Sequence, residues 1–239
     1  MAVSIWKGAG GCRYKGYLSR LDNSFLIAYS KMNNQEMQEM ADMGRSREYD
    51  EELVLTGAMH AFRREGYFAV SIKDLEEATG LKGGSIYNSY GDKAGLFSAA
   101  LAHYNQKVLH RRIADFASEA AGLRGLRKLF LSLLREPDGE SFGCLITNAA
   151  IEFGGSGRSM PTGIDEGLQI LSRTFTARLV SARRAGQLST EIEPARAASK
   201  LLALYQGTLV LVRAGYDKAL LKALINDEFD RLEGLRHVT

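Results

Sequence analysis

Residues 71–93, SIKDLEEATGLKGGSIYNSYGDK, constrain this chain more than any other stretch. Ser71 opens a short run with Leu75 and Ala78 on one face, and Ser71-x-x-Asp74 approximates a capping box. Gly80 ends that run and Leu81 plugs the turn after it. A second short run follows over 83–90, with Ile86 and Tyr90 directed inward, and Gly91 breaks it. Asp92 then caps a third run carrying Leu96, Phe97, Ala100, Leu101 and Tyr104 at helical spacing. Two short helices joined by a tight glycine turn form a helix-turn-helix, the layout that places its second helix in the DNA major groove.

The second helix supplies the chemistry such a layout needs. A reading helix presents its N-terminal residues to the groove, here Lys82, Gly83, Gly84, Ser85 and Asn88. Ser and Asn hydrogen-bond base edges, and Lys reaches guanine or phosphate. Glycine lowers helix stability by about 1 kcal/mol relative to alanine. Two at a helix start make sense where backbone must approach another surface closely. Tyr87 projects to the same side, where its hydroxyl suits a phosphate oxygen. Lys93 stands in a first helical turn, where the dipole favours an acid. A phosphate contact explains it, and Lys73 invites the same reading.

Upstream, 50–65 has the stripe Val54, Leu55, Ala58, Met59 and Phe62 of a helix with one buried face. Acids sit in its first turn, Arg63 and Arg64 in its last, and Gly66 stops it. Residues 1–43 are rich in Gly, Ser, Asn and Met and show no sustained period before about 34–40. They read as a disordered or non-native extension, since Met32, Met37, Met40 and Met43 are all possible starts.

From 123 onward the pattern is helical with longer segments. Leu126, Leu129, Phe130 and Leu133 form a stripe, and 137–139 is a loop. Helices are expected over 142–153, 165–185, 194–214 and 216–232, with a flexible glycine stretch at 154–157. Nothing alternates as a strand does, so the fold class is all-α. Three domains are expected: the 1–43 extension, a helix-turn-helix DNA-binding domain over 44–104, and a helical ligand-binding and dimerisation domain over 105–239.

Composition excludes much else. Of 239 residues 45% are hydrophobic and 25% charged, as in ordinary globular proteins, and the net charge of +3 permits nucleic acid without demanding it. That modest charge argues against sequence-independent DNA binding, which relies on many phosphate contacts. His60, His103, His110 and His237 have no metal-ligand spacing, and Cys12 and Cys144 form no CxxC pair. No metal, cofactor or catalytic residue is expected. The N-terminus lacks a signal-peptide core, and the apolar run 201–212 is shorter than the roughly 20 residues a membrane span needs. A cytoplasmic location follows.

The stretch 44–104 resembles the N-terminal domain of the TetR/AcrR family of bacterial transcription regulators. The resemblance rests on Ala58, Phe62, Gly66-Tyr67, Ser71, Leu75, Gly80-Leu81, Gly84-Ser85-Ile86-Tyr87, Tyr90-x-Asp92-Lys93 and Leu96-Phe97. It implies an all-helical homodimer that binds a palindromic double-stranded DNA operator, most often as a repressor. A small-molecule effector would enter the C-terminal domain and release the DNA. It also implies that Tyr87 and Lys93 contact phosphates while Ser71, Lys73, Lys82, Gly83, Ser85 and Asn88 face DNA. Two departures stand out. Gly83 replaces a longer polar side chain, and Ala94-Gly95 follows Lys93 where Glu-Ala is commoner, so the next helix should start less firmly. The alternative is a helical small-molecule-binding protein or enzyme in which the helix-turn-helix is only scaffold.

The C-terminal half is less specific. Phe130, Asn148, Phe153, Phe175, Arg178, Tyr205 and Gln206 suit a pocket of apolar walls with polar anchors, and equally suit a helical core. Cys144, in a segment that resembles part of a subset of these regulators, is either a reactive thiol at a helix N-terminus or a small buried hydrophobe. Leu168, Leu171, Phe175 and Leu179, with Leu201, Leu204, Tyr205 and Leu209, present more apolar surface than one bundle face requires. A two-fold contact between the helices over 165–185 and 194–214 would bury it.

Overall fold

The computed structural model describes residues 49–135 and 142–234, and every regular element among them is helical. The expectations for 1–43 and for the loop at 137–139 lie outside the described residues.

Helix α1 (Glu51–Glu65) is capped by Asp50, whose carboxylate accepts from the amides of Glu52 and Leu53. Val54, Ala58, Met59 and Phe62 face the core as the stripe requires, and Gly66 stops the helix at φ 92°. Helix α2 (Ile72–Thr79) carries a full capping box: the Ser71 hydroxyl accepts from the Asp74 amide, and the Asp74 carboxylate accepts from the Ser71 amide. Such a cap contributes about 1 kcal/mol. Gly80 sits in the left-handed region at φ 72°, a conformation that other residues adopt only at a cost.

The expectation for Ala78 is corrected. Its side chain is exposed, and its carbonyl, not its methyl, faces α1 at Gly57. The two helices cross so closely there that backbone fills the place where a side chain would sit.

Helix α3 (Gly83–Tyr90) buries Ile86 fully. Helix α4 (Lys93–Tyr104) buries Leu96, Phe97, Ala100, Leu101 and Tyr104. Asp92 caps it through the Gly95 amide at 2.8 Å. A Cβ on Gly95 would lie 1.9 Å from the Tyr90 carbonyl oxygen. The glycine that should weaken this helix start is therefore what lets it fold back under α3.

Helix α4 does not end at 104. It passes through a π-helical turn (Asn105–Leu109) into α5 (His110–Phe116). The expected domain boundary at 104/105 thus falls inside a continuous helix, and 49 onward forms one unit. The π turn admits the buried Asn105 side chain, whose amide donates to the Gly163 carbonyl at 2.9 Å and ties α4 to the helix after it.

A 3₁₀ turn leads into α6 (Gly122–Leu131), and α7 (Leu145–Gly154), α8 (Thr162–Arg184), α9 (Pro194–Arg213) and α10 (Lys218–Glu233) complete the bundle. Two starts differ from expectation. Residues 142–144 are extended, because Cys144 is the N-cap of α7. Helix α8 begins three residues early, directly after Pro161, whose own backbone is extended. The stretch expected to be flexible at 154–157 ends α7 in a turn.

The bundle closes around Phe130. Phe175, Tyr205 and Phe229 surround it with ring centroids at 5.4, 5.2 and 5.3 Å. Aromatic pairs at such spacing add about 0.5–1.5 kcal/mol each beyond area burial. Leu171, Phe175, Leu179, Leu201, Tyr205 and Leu209 are buried here, so the apolar excess expected at a subunit interface is consumed within the protomer. No helix among the described residues is long and apolar enough to cross a membrane.

Candidate nucleic-acid interface

Helix α3 is held by one face and open on the other. Ile86 is fully buried, whereas Tyr87 is 51% exposed and Lys82, Gly84 and Asn88 are exposed. Tyr90 packs partly against the core. The α3 N-terminus is fixed from α2: Glu76 accepts from the Gly83 amide at 2.5 Å. A carboxylate there satisfies one of the helix's free amides and suits its dipole. Sequence reasoning missed Glu76.

The two glycines have different causes. A Cβ on Gly83 would meet Glu76 Oε1 at 3.3 Å, so its smallness serves the α2–α3 contact. A Cβ on Gly84 would meet nothing within 4 Å, so the fold does not require that glycine.

The remaining expected contacts spread around this helix. Ser71 and Lys73 are exposed at the start of α2. The Ser71 hydroxyl also donates to Asp74 at 2.7 Å, so its first role is capping. Ser85 is half-buried. Lys93 is partly buried, its ammonium donating to the Val70 carbonyl and lying 4.9 Å from the Tyr67 ring centroid. Burial lowers its pKa, and the charges of Glu152 and Asp74 oppose that shift. A lysine in the first turn of α4 thus has a structural partner, with further N–H groups beyond the one given to Val70.

The unit is hooked to the rest of the chain at the end of α1. Glu152, on α7, accepts from the amides of Tyr67 and Phe68 at 2.9 and 2.8 Å. The Asn148 amide donates to the Arg63 carbonyl at 3.1 Å, and Arg213 at the end of α9 donates to the carbonyls of Arg63 and Arg64 at 3.2 and 3.3 Å. These are carbonyls that a helix end leaves unsatisfied. Rings reinforce the clasp: Phe153 stacks near Tyr67 and Phe97 at 5.0 and 5.8 Å. No local sequence pattern signals contacts between residues this far apart.

The expected ligand-pocket residues do not converge. Phe130 and Phe175 lie in the solid aromatic core, and Phe153 and Asn148 belong to the clasp. Arg178 donates to the Ala117 carbonyl at 2.8 Å, and Gln206 accepts from Thr147 at 2.5 Å. Only Cys144 and Tyr205 line a cavity, one of about 270 Å³ between α1, the π turn, α5 and α9. Cys144 is buried and its sulfur accepts from the Tyr104 hydroxyl at 3.1 Å, the environment of a packed small side chain. His60, Arg63, Arg112 and Arg135 complete the polar lining, and sequence reasoning named none of them.

Comparison with known proteins places this arrangement. Residues 54–100 match the sequence model described as bacterial regulatory proteins, tetR family, and 120–226 match the tetracyclin repressor-like C-terminal domain. The chain is 31% identical to the uncharacterized HTH-type transcriptional regulator YezE of Bacillus subtilis, over 62% of this chain and 78% of that protein. It is 25% identical to the HTH-type transcriptional repressor ComR of Escherichia coli, over 72% and 83% of the two chains. Its fold is similar to that of the TetR-family regulator CifR solved with a 26-base-pair operator, at TM-score 0.68 and 23% identity over 79% and 99% of the chains. With its reading helix, its clasp and both sequence-model matches in place, the protein belongs to the TetR family of bacterial transcriptional regulators.

Proposed function

We propose that this protein is a ligand-responsive repressor that binds a palindromic DNA operator as a homodimer and is released by a small molecule. The observation that carries the reading is α3, anchored by Ile86 and Glu76 while Tyr87, Gly84, Lys82 and Asn88 face outward. In the proposed complex Tyr87 and Lys93 contact phosphates, and Ser71, Lys73, Lys82, Gly83, Ser85 and Asn88 face the duplex. Gly84 lets backbone approach closely. The family's members are regulators, not enzymes, which leaves the scaffold alternative without support.

The partner surface lies on α9 and α10. Val210, Tyr216, Leu220 and Leu224 are 40%, 50%, 53% and 53% exposed, a large apolar set for a monomer surface. A second copy packed on it would set the separation of the two α3 helices, which an operator requires at about 34–36 Å or a multiple.

Selection of bound duplexes from random DNA tests the core of this reading. A two-fold symmetric consensus is the expected result, and enrichment of no sequence would overturn it. On the selected duplex, Lys82→Ala is expected to weaken binding and lower the slope of log K against log salt by about 1. An unchanged slope would remove Lys82 from the phosphate contacts.

Release requires the C-terminal helices to move α3, and the clasp is the route this fold offers. Hydrogen bonds to a charged group contribute roughly 1.5–3 kcal/mol each, less where water can replace them. Glu152→Ala is therefore expected to cost about 2 kcal/mol of stability. Hydrogen exchange of the Tyr67 and Phe68 amides should accelerate while the α6 and α9 amides stay protected. Unchanged exchange at 67 and 68 would exclude Glu152 from the clasp.

A further inference from the structure

The cavity between α1 and α5 has a one-sided chemistry. Its described lining includes Arg63, Arg112 and Arg135 with His60, and no carboxylate. Its walls are Val108, Leu109, Leu133 and Leu209. Tyr205 is buried at its floor, its hydroxyl oxygen accepting from Arg112, which leaves the hydroxyl hydrogen to donate. About 270 Å³ is near the lower end of the roughly 300–1,000 Å³ found for ligand pockets, so a compact molecule fits.

We propose that this cavity binds a small organic monocarboxylate, its carboxylate held by Arg112 with Arg63 and its short apolar body against the leucines. The inference rests on the repressor reading above, for which it names the class of effector. A guanidinium matches a carboxylate with two parallel hydrogen bonds, and partial burial strengthens each charged contact. A neutral amide of the same shape offers one acceptor and no charge. Its NH₂ would also oppose the guanidinium's N–H groups.

The position of the cavity gives the ligand a direct purchase on the DNA-binding unit. Arg63 belongs to α1, and its Nε donates to the Gly143 carbonyl at 2.6 Å while its own carbonyl is part of the clasp. A carboxylate between Arg63 and Arg112 links α1 to α5 through a new ionic contact. If that contact favours one placement of α1 over another, the ligand shifts DNA affinity, and DNA shifts ligand affinity by the same factor.

Calorimetric titration of the full chain with hexanoate, benzoate, hexanamide and benzamide tests this. Saturable binding of at least one carboxylate is expected, with its amide weaker by about tenfold or more. Arg112→Gln should lower carboxylate affinity by a similar factor, and Arg112→Lys should restore part of it, with helicity and unfolding midpoint followed for both variants. Equal binding of amide and carboxylate, binding by none of the four, or wild-type affinity in a folded Arg112→Gln protein would overturn the proposal. The selected DNA duplex is titrated in parallel. Sequence-specific DNA binding without carboxylate binding sinks only the effector class. Carboxylate binding by a protein that prefers no DNA sequence sinks the repressor reading and leaves the site standing.

Discussion

Leu220→Glu combined with Leu224→Glu is expected to yield a folded monomer whose affinity for a two-half-site operator falls by about 10²–10⁴. Both side chains are 53% exposed, one turn apart on α10, whereas Leu221, Ile225, Phe229 and Leu232 of the same helix face the core. The core stripe is untouched by the double change, so helicity and the Phe130 cluster should persist. A two-fold contact would use each leucine twice. At roughly 1 kcal/mol of further burial per half-exposed leucine, the four together contribute about 4 kcal/mol to association. Four glutamates in the same place would remove that term and add the desolvation of like charges facing one another. Light scattering should show the molar mass of one chain in place of two. An unchanged mass would place the dimer contact elsewhere, and a monomer that keeps full operator affinity would overturn the need for two reading heads.

This surface shows where sequence legibility ended. Leu171, Phe175, Leu201 and Tyr205 are as apolar as any interface residue, and the pattern marks one face of each helix without saying what covers it. The covering partner is α6 of the same chain, through Phe130. The N-terminal unit was legible because its determinants are local. Ser71 and Asp74 are three residues apart, Gly80 and Gly91 mark turns by their positive φ, and Asp92 caps three residues ahead. The clasp was illegible because Glu152 meets Tyr67 across 85 residues and Arg213 meets Arg63 across 150. The cavity escaped notice for the same reason: its charged lining comes from α1, α5 and the end of the α6 segment, and each arginine alone looks like a solvated surface residue.

Two alanine substitutions of glycine separate the roles of the reading unit. In a helix interior this change usually stabilises by about 0.5–1 kcal/mol, because alanine has less backbone freedom to lose. Gly57→Ala should do the reverse. Its Cβ would lie 2.0 Å from the Ala78 carbonyl oxygen and 2.9 Å from the carbonyl carbon. Those are backbone atoms, which no rotamer change can move aside, so α2 must shift off α1. Overpacking of this kind costs about 1–3 kcal/mol and outweighs the propensity gain. A net loss near 2 kcal/mol is expected, with a fall in unfolding midpoint of about 4–8 °C for a domain of this size. DNA affinity should fall with it, since α2 carries the Glu76 contact that aims α3. Gly84→Ala meets open space and should leave the midpoint unchanged or raise it. If backbone at Gly84 approaches the duplex, that same stable variant should bind DNA more weakly. Stability lost at 57 and affinity lost without stability at 84 would distinguish a glycine required by the fold from one required by the ligand. Should Gly57→Ala unfold at the wild-type temperature, the close crossing of α1 and α2 is wrong. Should Gly84→Ala bind as tightly as wild type, the duplex does not approach α3 at that residue.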